Sequence, residues 1–408
     1  MPEHWEEKKF KHIFSEKKKT TNIELNCGSI SFGKVVYKDD EKVPESTKKS
    51  YQVLSKGDFL INPLNLNYDL ISLRIALSDK DVVVSSGYII LNENLKLNKE
   101  YYKWLLHIFD VVYMKTLGSG VRQTLSFTHI ANCELVFPPF EEQTAMAQFL
   151  EDKTALIDQA IAIKQKQIEL LKERRQIFIH KAVTRGLNDN VKLKDSGVKW
   201  IGEIPEHWEV KKIKHISSKI GSGITPSGGG TTYLDSGIPL LRSQNVLFGK
   251  IELEGVAYIS DKVHESMSNS QVQKGDVLLN ITGGSIGRCH FVDFDSELNV
   301  NQHVCIIRPK RDITTIFLNS ILSSEIGQGQ IWFNQQGGGR EGLNFQSIKN
   351  FSLPLPTISE QKSICDFIDV STNKFARAIS LKEQEIDKLK EYKMSLIDGV
   401  VTGKVKVN

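Results

Sequence analysis

Two long segments of the chain place apolar residues at coiled-coil spacing. Six apolar positions in the first segment follow intervals of four, seven, three, seven and four residues: Ile157, Ile161, Ile168, Leu171, Phe178 and Ala182. The second segment repeats these intervals: Phe375, Ile379, Ile386, Leu389, Leu396 and Val400. Such a heptad seam predicts two long helices that pair through their apolar stripes. The alternative is a surface helix packed on its own domain, and the matched register in both segments favours mutual pairing.

Four basic residues occupy further positions of the two seams: Lys164, Arg175, Lys382 and Lys393. Polar seam residues weaken a coiled coil but can fix its register. Glu-Gln at the start of each segment, directly after a proline boundary, is typical of a helix N-terminus.

Each predicted helix follows a segment of short apolar runs separated by Gly, Ser and Asn. Such runs predict β-strands, as at 82–85, 88–91, 276–281 and 304–307. Two shorter helices are expected at 101–114 and 313–326. The predicted fold class is α+β, with two heads of mixed α/β character, each followed by a long helix.

The chain is a duplication of one unit. PEHWEEKKFKHI at 2–13 recurs as PEHWEVKKIKHI at 205–216, with ten of the twelve residues identical. Lys-Gly-Asp at 56–58 recurs at 274–276, and FPPFEEQ at 137–143 parallels LPTISEQ at 355–361. A period near 200 residues is too long for a solenoid and indicates a duplicated domain.

Chain length predicts the direction in which the helices pair. A helix over 141–184 is ~65 Å long, and the 20 residues from 185 to 204 reach at most ~70 Å when extended. A parallel pair needs nearly all of that reach, whereas an antiparallel pair needs almost none. We therefore expect an antiparallel coiled coil with pseudo-two-fold symmetry and the heads at opposite ends.

The predicted domain boundaries follow from this layout. They are a first head at 1–140, a first spacer helix at 141–186, a linker at 187–204, a second head at 205–358 and a second spacer helix at 359–403.

Composition narrows the class of protein without identifying a ligand. The chain has 408 residues, of which 40% are hydrophobic and 25% charged, and its net charge is +4. This is typical of a soluble globular protein, and no apolar run approaches the ~20 residues of a membrane span. The five cysteines are scattered, without a C-x-x-C pair, so we expect a reducing cytoplasm and no zinc or disulfide framework.

The repeated phrases resemble those of a known family. KWIGEIPEHW at 199–208, FPPFEEQ at 137–143 and the duplicated head-plus-helix layout are similar to the specificity subunit (HsdS) of type I restriction-modification enzymes. The likeness covers essentially the whole chain. It implies that each head is a target-recognition domain reading one half of a bipartite site in double-stranded DNA. It also implies that the paired helices set the spacing between half-sites.

The resemblance further implies a set of partners. Two methyltransferase subunits would dock on this chain, and motor-nuclease subunits would join through them. The chain itself would be non-catalytic and hold no cofactor, while the complex uses S-adenosylmethionine, ATP and Mg²⁺. Trp5 and Trp208 would pack where head, helix and partner meet, and the alternative is that they fill two equivalent small cores. Eight seam residues join them as structural or partner-docking candidates: Ile161, Ile168, Leu171, Phe178, Ile379, Ile386, Leu389 and Leu396.

Motifs for catalysis are near misses. GSISFGKV at 28–35 ends in Val35, where a phosphate-binding loop needs Ser or Thr, so a Gly-rich strand turn is the better interpretation. GSGITP at 221–226 lacks the third glycine of a dinucleotide loop, and NPLN at 62–65 lacks the second proline and the aromatic residue of adenine methyltransferases. No cluster of His, Cys and acidic residues has metal-ligand spacing. A stand-alone DNA-modifying enzyme and a protein–protein adaptor remain rival hypotheses.

Candidates for DNA contacts are basic and amide side chains in loops, since Arg and Lys pair with guanine and Asn and Gln with adenine. The matched glycine loops at 118–123 and 337–341 supply Arg122, Gln123 and Arg340, with a structural turn as the alternative. The other candidates are Lys56, Arg74, Arg242, Gln244, Asn245, Asn280, Arg288, Asn301 and Gln302. Because the heads differ outside the shared phrases, we expect an asymmetric, interrupted target.

Overall fold

A computed structural model gives the fold and describes residues 1–64, 74–114, 125–226, 233–335 and 342–407. The chain divides into two compact units. The first consists of Met1–Gln165 together with Glu383–Asn408, and the second consists of Lys166–Lys382. Each unit therefore contains one head, the start of the long helix that follows it and the end of the other long helix.

The first half of the chain contains ten described strands. They are β1 (Glu6–Lys9), β2 (Phe14–Glu16), β3 (Gly28–Ser31), β4 (Lys34–Tyr37), β5 (Gln52–Leu54), β6 (Phe59–Ile61), β7 (Ile75–Leu77), β8 (Val82–Val84), β9 (Ile89–Glu93) and β10 (Glu134–Phe137). The helices are α1 (Phe10–Ile13), α2 (Glu45–Lys48), α3 (Lys99–Val112), α4 (Phe127–Ile130) and the long α5 (Phe140–Arg185), with a 3-10 turn at Asp40–Lys42.

The second half contributes fourteen described strands. They are β11 (Leu193–Asp195), β12 (Glu203–Pro205), β13 (Glu209–Lys212), β14 (Ser217–Ser222), β15 (Ile238–Leu241), β16 (Val246–Leu247), β17 (Lys250–Ile251), β18 (Ala257–Ile259), β19 (Gln271–Val272), β20 (Val277–Asn280), β21 (Cys289–Phe291), β22 (Leu298–Val300), β23 (Val304–Pro309) and β24 (Ser352–Leu355). The helices are α6 (Ile213–Ile216), α7 (Asp261–Ser266), α8 (Thr315–Ser323), α9 (Glu325–Phe333), α10 (Phe345–Asn350) and the long α11 (Ile358–Val401), with 3-10 turns at Ser268–Ser270 and Gly283–Ser285.

Both heads are built on the same antiparallel sheet. Its strand order is β2-β9-β6-β7 in the first head and β14-β23-β20-β21 in the second. The strand pairs β1–β10 and β13–β24 also correspond, since Glu6 lies opposite Phe137 and Glu209 lies opposite Leu355. The repeat seen in the sequence is thus a repeat of topology and register.

The shared Lys-Gly-Asp phrase forms the turn before the central strands β6 and β20. Gly57 and Gly275 have φ values of 89° and 92°, a left-handed conformation that favours glycine. The following carboxylate closes the turn, because Asp58 accepts from the Ser55 amide at 2.8 Å and Asp276 accepts from the Gln273 amide at 2.7 Å. The phrase is therefore structural in both heads.

The second sheet layer differs between the heads. In the first head it contains the pair β5–β8, and Cys27 bridges to Val83 beside it. In the second head it is a four-stranded sheet of order β18-β15-β22-β19, in which β15 runs parallel to β22.

The two long helices pair antiparallel within each unit. In the first unit, Lys393 forms an ion pair with Asp158, and Lys164 forms one with Glu385, both at 2.7 Å. The residue numbers of the paired positions therefore rise along α5 while they fall along α11, as in an antiparallel pair. In the second unit, Phe178 of α5 packs on Phe375 of α11, with ring centroids 5.7 Å apart.

The seam prediction matches the burial pattern of these helices. Ile157, Ile168 and Ile386 are buried, while the remaining aliphatic seam candidates are partly buried: Ile161, Leu171, Ile379, Leu389 and Leu396. Phe178 is more open, at 37% exposure. Two of the basic seam residues, Lys164 and Lys393, form ion pairs with acidic residues of the other long helix. Their charges therefore have partners although neither side chain is fully buried.

Two local expectations differ from the structure, and a third agrees with it. The helix expected at 313–326 is two helices, α8 and α9, because Ser324 adopts an extended conformation between them. The linker expected at 187–204 contains β11, which pairs with β12 as a hairpin. The Gly-rich segment at 28–37 is the hairpin β3–β4, and its turn carries Gly33 at φ 71°, as the strand-turn interpretation predicts.

Within the described ranges, no helix is long and apolar enough to cross a membrane. In the same ranges, no group of three or more His, Cys, Asp and Glu side chains is arranged to hold a metal ion.

Candidate nucleic-acid interface

The His-Trp phrase and the Glu-Gln phrase meet at the start of each long helix. In the first unit, Trp5 Nε1 donates to Glu142 at 2.9 Å, and His4 Nε2 lies 2.7 Å from the same carboxylate. In the second unit, the corresponding distances are 3.1 Å from Trp208 Nε1 and 2.8 Å from His207 Nε2 to Glu360. The two phrases are far apart in the sequence but contact each other in the fold. This contact between the His-Trp and Glu-Gln phrases is called the joint below.

The glutamine of each Glu-Gln phrase fixes the head to the helix from inside. Gln143 is fully buried, accepts from the Asn98 amide at 2.8 Å and donates to the Pro138 carbonyl at 2.8 Å. Gln361 is equally buried and accepts from the Thr314 amide at 2.8 Å. Buried main-chain groups need such partners, so each glutamine orients the helix that the head precedes.

The Trp side chains also contact the end of the long helix that belongs to the other copy. A Cβ on Gly186 would lie 3.1 Å from the Trp208 ring, and one on Gly403 would lie 3.0 Å from the Trp5 ring. Both glycines have a φ of 72°, the left-handed conformation of a helix C-cap. Each Trp is thus buried between the start of one long helix and the end of the other, which accounts for the repeated phrase.

The joint predicts a specific acid sensitivity. Burial alone raises the pKa of Glu360, but the hydrogen bonds from Trp208, His207 and Thr357 outweigh it and lower the pKa from 4.5 to about 2. A carboxylate with a depressed pKa stabilises the fold above its ordinary pKa, and this contribution is lost as the pH falls towards the folded value. We expect the melting temperatures of wild type and Glu360→Gln to converge between about pH 4.5 and about pH 2.

Thermal melts across this pH range test the expectation. Glu265→Gln, at an exposed position of the same unit, is the matched control. Melting curves of wild type and Glu360→Gln that stay a constant distance apart would contradict it.

The loops at one edge of the second head come together through main-chain pairing. Ser222, Asn280 and Val304 lie at adjacent ends of β14, β20 and β23. Leu241 and Val300 lie side by side at the ends of β15 and β22. This gathers four loops, at 223–226, 242–245, 281–288 and 301–303, into a recognition edge, the name used below for these loops.

Close backbone contacts hold the recognition edge together. Gly223 donates its amide to the Asn301 carbonyl at 3.1 Å, and a Cβ on Gly223 would lie only 1.6 Å from the Val300 carbonyl oxygen. The Asn301 amide donates to Leu241 at 3.0 Å, and the Ile281 amide donates to His303 at 3.0 Å. Only glycine, which has no Cβ, permits the close contact between residue 223 and the Val300 carbonyl oxygen.

Seven of the eight predicted DNA-contact residues of the second head, all except Arg340, fall within the described residues and lie on or beside the recognition edge, but their side chains differ in access. Asn245, Asn280 and Asn301 are buried. Asn280 donates to the Ser243 and Val246 carbonyls, and Asn245 accepts from the Arg242 amide at 3.0 Å. These amides shape loops, and a DNA-contact role for them stays a prediction on which the proposals below do not depend.

The other four candidates of this head reach the surface. Gln244 and Gln302 are exposed, whereas Arg242 and Arg288 are partly exposed. The Arg242 guanidinium lies over the Tyr233 ring, 5.6 Å from its centroid. Arginine and amide side chains at one edge can pair with the base edges of the major groove.

The first head places its candidates differently. Lys56 is exposed in the turn before β6. Arg74 directly precedes β7, at the position equivalent to Arg288, but it is 5% exposed and its Nε pairs with Asp110 Oδ1 at 2.9 Å. Its DNA contact also stays a prediction, because the guanidinium is enclosed. Arg122, Gln123 and Arg340 lie outside the described residues.

Sequence reasoning missed the residues that organise these sites. Glu142 and Glu360 were noted only as helix-start residues, and His303, Thr225 and Thr282 were not singled out. The repetition of His-Trp and Glu-Gln in both copies was a usable signal for the joint. Nothing in the sequence paired the threonines with His303.

A family model supplies the assignment. The model for the type I restriction modification DNA specificity domain matches residues 2–173 and 205–391. The chain belongs to this family. Its members are the non-catalytic DNA-recognition subunits of type I restriction-modification systems, so recognition of a DNA sequence is the role of this specificity subunit. The rival hypothesis of a stand-alone enzyme is thereby excluded.

Curated relatives carry the same designation. The MjaVIII specificity subunit of Methanocaldococcus jannaschii is 27% identical over 83% of this chain and 74% of its own length. The EcoBI specificity subunit of Escherichia coli is 28% identical over 71% of this chain and 61% of its own length. The putative MjaX specificity subunit, also from M. jannaschii, is 24% identical over 100% of this chain and 95% of its own.

Solved structures confirm the fold class. A chain from a structural study of complex assembly and conformational transition of the type I R-M system superposes with a TM-score of 0.70, at 14% identity, covering 98% of both chains. HsdS from Thermoanaerobacter tengcongensis superposes with a TM-score of 0.55, at 13% identity, covering 99% of this chain and 98% of its own. The predicted mixed heads followed by long helices are therefore correct for this specificity subunit.

Proposed function

We propose that this chain reads two different half-sites of an interrupted DNA sequence, one with the head at 1–140 and one with the head at 205–358. The observation that carries the proposal is the contrast between a shared sheet and divergent edges. The sheets have the same order, but in the described residues the second layer contains the strand pair β5–β8 in the first head and a four-stranded sheet in the second. Different edges on one scaffold favour different half-sites and an asymmetric target.

The long helices support a spacer role in this proposal. α5 has 46 residues and α11 has 44, which corresponds to ~69 Å and ~66 Å of helix. Half-sites one helical turn of DNA apart, ~34 Å, fit within this length. The joints at Trp5 and Trp208 would set the angle between each head and the helix ends that it contacts.

The chemistry belongs to partners in this proposal. Two methyltransferase subunits would use S-adenosylmethionine and flip an adenine of each half-site out of the stack. Motor-nuclease subunits would add ATP and Mg²⁺. This chain would supply position, which agrees with the non-catalytic role of its family.

Mapping of N6-methyladenine tests the function directly. The chain is co-expressed with its methyltransferase partner in a methylation-free host, and the genome is then mapped for modified adenines. We expect a split, asymmetric motif that disappears when this chain is omitted. A soluble complex without such a motif would refute the proposal, and a purified complex that ignores DNA but retains its partner would favour an adaptor.

Exposed aliphatic residues on the long helices support the docking of a helical partner. Along α5, Leu156, Ile163, Leu170 and Ile177 recur every seven residues and are 52–59% exposed. On α11, Leu381 is the counterpart of Ile163 and is 59% exposed. A second apolar stripe beside a satisfied coiled-coil seam fits a partner helix.

We expect Ile163→Glu combined with Leu381→Glu to weaken retention of the methyltransferase subunit by about tenfold or more, since each buried aliphatic side chain contributes ~1.5–3 kcal/mol. Co-purification at varied concentration measures the effect. Gln165→Glu combined with Ser395→Glu adds the same charge at exposed positions of α5 and α11 and serves as the control. Unchanged retention with an unchanged melting temperature would count against docking on this stripe.

A further inference from the structure

We propose that Gln302 reads an adenine in the half-site of the second head, and that Thr225 and His303 position it. The inference rests on the proposed DNA-reading function and deepens it by naming a base and the residue that recognises it. Gln302 is exposed at the tip of the 301–303 loop, within the recognition edge.

The Gln302 amide is held by a hydrogen-bonded chain that crosses three loops. Thr225 Oγ1 donates to Gln302 Oε1. Gln302 Nε2 lies 3.0 Å from His303 Nε2, and Thr282 Oγ1 lies 2.7 Å from His303 Nδ1. Because an amide nitrogen only donates, His303 Nε2 accepts, and the neutral ring then donates from Nδ1 to Thr282.

These hydrogen bonds leave the Gln302 amide with one free donor and one free acceptor, which adenine requires. A glutamine amide has two hydrogens and two oxygen lone pairs. Thr225 uses one lone pair and His303 uses one hydrogen, so one acceptor and one donor remain. Adenine presents the N7 acceptor and the N6 donor side by side in the major groove, and glutamine pairs with both.

The loops that carry this chain are fixed before DNA arrives. Gly223 packs its backbone against Val300, and the Asn301 side chain accepts from the His303 amide at 3.0 Å. A recognition group already held in place loses little conformational entropy when it binds. Among the described residues, no side chain holds the exposed Gln244 amide by comparable hydrogen bonds. Gln302 is therefore the better candidate of the two for base recognition.

The test uses the full chain with its methyltransferase partner and compares methylation motifs. Wild type is mapped first, and absence of any split motif would refute the proposed function itself. With a wild-type motif established, Gln302→Ala is expected to relax one A·T position of one half-site, and duplex binding should lose about ten- to a hundredfold of its preference there. The other half-site should be unchanged.

Two further variants separate positioning from folding. Thr225→Val removes the hydroxyl and should relax the same position, whereas Thr225→Ser keeps the hydroxyl and should restore it. Gln346→Ala alters an exposed glutamine outside the hydrogen-bonded chain and should leave the motif intact. The inference is overturned if Gln302→Ala keeps the wild-type motif at every position, or if the relaxed position is a G·C pair.

Discussion

Replacement of Trp208 by alanine is expected to lower the free energy of unfolding of the second unit by about 3–5 kcal/mol, as for other large buried aromatic residues. Trp208 is 1% exposed and lies in the core that contains Ala182 and Val183 from the end of α5. Its loss removes this packing and also leaves Glu360 without its indole donor. Both effects act on the same joint between head and helices.

Amide hydrogen exchange measured by mass spectrometry resolves the effect by unit. Protection should fall in β20 and β23, which form the centre of the second head. Trp5→Ala is the matched variant, because Trp5 is 6% exposed and makes the equivalent bond to Glu142. It should reduce protection in β6 and β9 instead. A loss below ~1 kcal/mol for Trp208→Ala would mean that the joint carries little of the fold.

Substitution of Gly223 by alanine is expected to weaken sequence discrimination by the second head by about tenfold or more. The added Cβ would lie 1.6 Å from the Val300 carbonyl oxygen, a main-chain atom that cannot rotate away. The 223–226 loop must then separate from the 301–303 loop. Overpacking of this kind costs ~1–3 kcal/mol, and the recognition edge loses the geometry on which base pairing depends.

The ratio of specific to non-specific DNA binding measures this loss, because phosphate contacts alone persist when base contacts fail. We expect the ratio to fall by about tenfold or more, given that each base contact contributes ~1–3 kcal/mol. Gly221→Ala is the matched control, since Gly221 lies two residues earlier, in β14, and a Cβ there has no atom within 4 Å. Equal ratios for the two variants, at a temperature where both are folded, would show that this loop contact does not shape recognition.

The joint at the start of each long helix shows which contacts a sequence repeat can predict and which it cannot. His-Trp and Glu-Gln recur in both copies, and that recurrence left two interpretations of Trp5 and Trp208 open, a junction of head, helix and partner or two equivalent small cores. It could not show that the Trp indole donates to the Glu of the other phrase, because Trp208 and Glu360 are 152 residues apart. A bond of that sequence separation depends on the fold, and no local periodicity encodes it.

The predicted DNA-contact residues show a second limit of prediction from the sequence, because side-chain type alone does not reveal burial. Asn, Gln and Arg at strand ends were selected for their chemistry, and Gln302 and Asn280 were equivalent on that basis. In the fold, Asn280 is fully buried and satisfies two carbonyl groups, while Gln302 is exposed and framed by Thr225 and His303. The same side-chain chemistry therefore serves loop structure in one position and, in the other, leaves an exposed amide open for the proposed recognition.

The amino-acid sequence was sufficient to predict the duplication, the mixed heads, the two long helices and their antiparallel direction. Heptad spacing, repeated phrases and the reach of a linker are properties of the chain, and they act over short distances or through length alone. The fold was needed to show which four loops form one edge, which polar side chains remain exposed there, and which glycine permits the close approach of two of these loops. These outcomes depend on how strand ends align across sheets, because a buried polar group must find its partner in space and not in sequence.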